Sequence, residues 1–90
     1  LLLGERHQLG PAAFAELRIW RVPSSVHGSF HNNKYSLAYV VSGTCVLRYD
    51  NESGKGDHKH IGEVETAYHF KTPARLLADF WRDVDRWRPT

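Results

Sequence analysis

Ninety residues with an apolar fraction of 41% and three Trp, four Tyr and four Phe can fill one small core, so residues 1–90 are read as a single domain. The formal charge of +2 and pI of about 8.9 exclude a strongly basic nonspecific polyanion binder. One cysteine, Cys45, excludes an intrachain disulfide and a Cys-based zinc cluster, which fits a reducing cytoplasm, and Leu1-Leu2-Leu3 is too short for a signal peptide or membrane span.

In chain order, residues 1–8 read as a weak strand, and Leu9-Gly10-Pro11 signals a turn. Residues 14–22 alternate Ala15, Leu17 and Ile19 with Glu16, Arg18 and Trp20, the period of a half-buried strand, which Pro23-Ser24-Ser25 ends. A loop carrying His27 and His31 follows. Residues 34–41 and 45–50 form the clearest hairpin. A three-residue loop, Ser42-Gly43-Thr44, would set Leu37 opposite Tyr49, Tyr39 opposite Leu47 and Val41 opposite Cys45, making one face wholly apolar. Cys45 then reads as a small core residue, and Lys34, Ser36, Arg48 and Asp50 share the other face. Residues 51–56 read as a loop with two glycines, and 58–70 as one or two short strands broken at Gly62.

Thr72-Pro73 opens a helix, with Thr as N-cap and Pro at the first helical position. Leu76, Leu77, Phe80, Trp81, Val84 and Trp87 recur as one apolar stripe, Arg75, Asp79, Arg82, Asp83 and Arg86 fill the remainder, and Pro89 stops the helix. Strands first and a helix last predict an α+β fold. The expected form is an antiparallel sheet of four to five strands, with one C-terminal helix packed on one face. The Lys34/Arg48/Asp50 face would stay open.

The chemistry concentrates between Arg48 and His60. His58 and His60 are two apart, which in a strand puts both rings on one face. Two imidazoles can act as general acid and base, and such a pair predicts a bell-shaped rate profile between about pH 5 and 8. Lys34, Arg48, Lys55 and Lys59 could hold a phosphate and stabilise charge developing on it. Asp57 or Asp50 could orient an imidazole. That set suffices for metal-independent RNA cleavage, with His58, His60, Asp57, Lys55 and Arg48 catalytic, Lys34, Asp50 and Lys59 binding substrate, and neither metal nor cofactor. Three readings compete: a solvated polar loop, a partner-binding module without turnover, and a metal-dependent nuclease in which His58, His60 and Asp57 or Asp50 are ligands. Gly54-Lys55-Gly56 lacks the remainder of a nucleotide-binding P-loop.

The runs Lys34-Tyr35-Ser36-Leu37-Ala38-Tyr39-Val40-Val41, Arg48-Tyr49-Asp50-Asn51-Glu52 and Gly54-Lys55-Gly56-Asp57-His58-Lys59-His60 resemble the TumE family of small bacterial and archaeal toxins. Ile19-Trp20-Arg21-Val22-Pro23 and Leu76-Leu77-Ala78-Asp79-Phe80 extend the likeness over most of the chain. The resemblance implies the toxin of a type II toxin–antitoxin pair, neutralised by a cognate protein antitoxin, usually a helix-turn-helix DNA binder. It leaves open a homodimer or a hetero-oligomer with the antitoxin. RNA as substrate follows by analogy of fold with RelE-like toxins of similar size.

Overall fold

The computed structural model describes residues 2–26, 28–52 and 56–87. Alternating apolar and polar side chains lay down six strands: β1 (Leu3–Gly10), β2 (Ala13–Arg21), β3 (Asn33–Val41), β4 (Thr44–Glu52), β5 (Gly56–Ile61) and β6 (Val64–Ala67). Each pairs antiparallel with the next, in the sheet order β1-β2-β3-β4-β5-β6, and α1 (Pro73–Trp87) follows. The α+β architecture is as expected. Among the described residues the strands number six rather than four to five, because the segment from Gly56 forms two strands that turn at Gly62.

The sheet buries one face. Ala15, Leu17 and Ile19 of β2, Tyr35, Leu37 and Tyr39 of β3, and Leu47 and Tyr49 of β4 meet Leu76, Phe80 and Val84 of α1. Leu76, Phe80 and Val84 are i, i+4, i+8, so one narrow stripe of the helix lies on the strands. Leu77 and Trp81 pack at its margin and Trp87 is exposed. Thr72 caps α1: its Oγ1 accepts the Arg75 N–H at 3.1 Å.

Two expectations change. The β3–β4 turn has two residues, not three: Val41 pairs with Thr44, and Ser42 and Gly43 both have positive φ (50° and 78°), as a primed hairpin turn requires. The Leu37/Tyr49 and Tyr39/Leu47 pairs survive because Val46 is an extra, bulged residue that restores the register. Cys45 therefore pairs with Val40 instead of Val41, and is exposed rather than in the core. The second correction concerns Asp79 and Asp83, read as part of the helix's polar remainder. Both are buried. Asp79 accepts bonds from Tyr68 Oη (2.6 Å), Arg75 Nε (3.0 Å) and Arg82 (3.2 Å). Asp83 accepts from Tyr49 Oη, and from Lys59 Nζ at 3.3 Å. Carboxylates can enter the helix–sheet seam because phenols and cations from both layers satisfy them.

Those bonds make stability depend on pH at both extremes. Burial first, then donation to Asp57, Asp83 and Asp79 respectively, pushes the Tyr35, Tyr49 and Tyr68 phenols well above their ordinary range. A raised phenol stabilises the fold fully below its unfolded value, near pH 10, and less as the pH climbs toward its native value. Burial alone would raise Asp79. The hydrogen bonds from Tyr68 and Arg75 and the charges of Arg75 and Arg82 outweigh it and hold the carboxyl low. Its contribution is complete above about pH 4 and is lost as the pH falls through the lowered native value. Thermal unfolding followed by circular dichroism should therefore show Tm falling below about pH 4 and again above about pH 10. Tyr49→Phe should weaken the alkaline fall.

Candidate functional site on the open face of the sheet

Strand pairing puts directly opposite residues on the same face. Across the uncovered side, one row runs Arg18, Ser36, Asp50, His58 and Ala67. The next runs Arg6, Glu16, Ala38, Arg48, His60 and Glu65. Four of the residues singled out from the sequence thus meet on neighbouring strands: Arg48 and Asp50 on β4, His58 and His60 on β5.

His58 and Asp50 are the buried members, 4% and 7% exposed. The His58 Nδ1–H donates to the Gly56 carbonyl at 3.1 Å, which leaves Nε2 facing Asp50 Oδ1 at 2.5 Å. That approach is close enough for an ion pair but is not aligned as a hydrogen bond, and no other donor among the described residues reaches Oδ1. A buried carboxylate oxygen without a donor is costly, so the site favours an incoming hydroxyl or cation. The His60 ring lies edge-on to His58, centroids 5.1 Å apart, with Nε2 4.0 Å from Glu65 Oε1. His60 and Arg48 form the accessible rim. Arg48 is half-exposed and holds Asp50 Oδ2 only at 3.9 Å, so its guanidinium can turn to a phosphate.

Lys34 is on this face, exposed, opposite Trp20 and two residues along β3 from Ser36. Asp57 and Lys59 are not brought to the cluster. They alternate with His58 and His60, so they point to the helix side. Lys59 Nζ sits 3.3 Å from Asp83 and over the Tyr49 ring. Asp57 accepts from Ser29 Oγ, from His31 Nε2 at 2.7 Å and from Tyr35 Oη at 2.7 Å. His31 Nδ1 accepts the Asn33 N–H at 3.2 Å, and its ring stacks on Phe70 with centroids 3.8 Å apart. Asp57 does orient an imidazole, but that of His31, and the network ties the β2–β3 loop to β5. Lys55 and His27 lie outside the described residues.

Sequence reasoning missed Glu65, although a β5–β6 hairpin turning at Gly62 sets it opposite His60. It also missed the packing of Gly28 against Gly56, which no sequence spacing announces.

The chain matches the family model described as Toxin TumE over residues 5–88. It belongs to the TumE toxin family. No curated protein and no solved structure matches it. A toxin family points to an antitoxin partner for this TumE protein, and no described helix is long and apolar enough to cross a membrane.

Gly56 positions the buried imidazole. Its φ is +74°, and an added Cβ would lie 2.5 Å from the Gly28 carbonyl oxygen. Gly56→Ala should cost on the order of 1–3 kcal/mol of unfolding free energy in urea, because strain and a backbone clash add. It should also shift the His58 side-chain NMR signals, since the Gly56 carbonyl holds Nδ1.

Proposed function

We propose that this TumE-family protein is the toxin of a type II toxin–antitoxin pair and a metal-independent ribonuclease. In this reading it acts in the cytoplasm and is restrained by a cognate helix-turn-helix antitoxin. One observation carries the proposal: Asp50 and His58 pair beneath an accessible His60 and Arg48 on the face that α1 leaves open.

The mechanism follows from access. His60 takes the proton of an RNA 2′-hydroxyl, and that oxygen attacks the adjacent phosphorus. Arg48, with Lys34 nearby on the same face, stabilises the negative charge building on the phosphorane oxygens. The bond to the 5′-oxygen breaks, and the Asp50–His58 pair delivers a proton to it. The products are a 2′,3′-cyclic phosphate and a 5′-hydroxyl. His60→Ala should lower the single-turnover cleavage rate about 10²–10⁴-fold with little change in Tm, because His60 lies at the rim. A folded His60→Ala protein that cleaves like the parent would defeat the assignment. Absence of turnover by the parent on any RNA would favour a partner-binding module instead.

A second reading has its own support. Ligand atoms of Asp50, His58 and His60 lie within 4.8 Å of one another, and His58 donates its other N–H to a backbone carbonyl, as metal-bound histidines commonly do. Binding an ion would require a small side-chain adjustment. Two ligands about 2.0–2.1 Å from a tetrahedral ion sit roughly 3.3 Å apart, whereas His58 Nε2 and Asp50 Oδ1 are 2.5 Å apart. The metal-independent reading expects the cleavage rate to be unchanged in EDTA. Loss in EDTA with recovery on adding a divalent ion would establish the metal reading.

A further inference from the structure

Beside the Asp50/His58/His60 cluster, the open face is hollowed where β3 presents the small side chains of Ser36 and Ala38, with Val40 beyond them. The trough has a volume of about 340 Å³, within the ~300–1,000 Å³ range of small-molecule clefts. Phe14 and Trp20 of β2 line it with Arg18, and Arg48 of β4 closes the other side. Trp20 is half-buried on a face that no helix covers, an arrangement the core does not call for. Ser36 is directly opposite Asp50 and Ala38 directly opposite Arg48, so the hollow runs into the cluster across one strand spacing, about 4.8 Å.

We propose that this trough is a nucleobase subsite for single-stranded RNA, holding a nucleotide of the same strand a few positions away from the phosphate at His60. The inference rests on the ribonuclease reading and deepens it. Trp20 offers an indole face on which an unpaired base can stack, a contact that tolerates any base. Arg18 and Arg48 line the trough with cations suited to the backbone, Glu16 lines it too, and Lys34 lies opposite Trp20 on the same face. Arg18 is tied to Glu16 at 2.7 Å, so it directs one edge of its guanidinium to the sheet while more than half of its side chain stays exposed. A duplex keeps its bases stacked inward and presents none to a sheet face, so unpaired RNA is the class that fits.

The test uses an uncleavable 2′-O-methyl single-stranded oligonucleotide, fluorescently labelled, with anisotropy as the readout and the whole chain as the binder. Trp20→Ala should bind about tenfold or more weakly, and Trp20→Phe should keep most of the affinity. Ala38→Phe, which fills the floor, should give a comparable loss by an independent route. A duplex of the same sequence should compete poorly. Parental affinity in both Trp20→Ala and Ala38→Phe, no binding by the parent, or equal competition by the duplex would each overturn the subsite. Because binding is measured without cleavage, the two claims separate. Trp20-dependent binding by a protein that cuts no RNA keeps the subsite and removes the nuclease. Cleavage whose KM ignores Trp20→Ala does the reverse.

Discussion

The pairing of β4 with β5 sets Asp50 opposite His58 and Arg48 opposite His60, and everything proposed for this protein depends on that register. Side chains alternate along a strand with a period of two. A slip by one residue would send both imidazoles under α1 and bring Asp57 and Lys59 into the open. The register is fixed from the other face. Tyr49, between Arg48 and Asp50, is fully buried against Phe80, and Lys59, between His58 and His60, is anchored on Asp83. The helix never touches the cluster, yet its packing decides which residues face water.

The two faces use the same residue types for different ends. On the helix side, Asp57, Asp79 and Asp83 each collect several donors, from phenols, hydroxyls, an imidazole and cations. Buried carboxylates with that many partners hold layers together. On the open side, Asp50 is as buried, but among the described residues no hydrogen-bond donor reaches its Oδ1, which faces a histidine nitrogen instead. Acids with several donors belong to the scaffold, and Asp50 belongs to the proposed site.

Much of the frame was legible because it follows from period and punctuation. The alternation of Ala15, Leu17 and Ile19, the Leu37/Tyr49 register and the Thr72-Pro73 start of α1 are local signals, and each has its counterpart in the fold. The face shared by Lys34, Arg48 and Asp50 follows from the same alternation. The rest required partners distant in sequence. A bulge at Val46 moved Cys45 out of the core with no residue to announce it. Asp57 went to the helix side because it is one residue from His58, and period two separates neighbours however alike their chemistry. Asp79 and Asp83 look like solvent-facing helix positions until Tyr49 and Tyr68, from elsewhere in the chain, are seen to donate to them.

In the proposed reading, RNA meets the sheet face turned away from α1. Photocrosslinking a 4-thiouridine-labelled, uncleavable oligonucleotide to the protein and mapping the joined residues tests it most directly. Crosslinks should fall on open-face residues such as Trp20, Arg48 and His60. Crosslinks confined to α1 or to the Phe70–His31 stack on the opposite side would contradict the account.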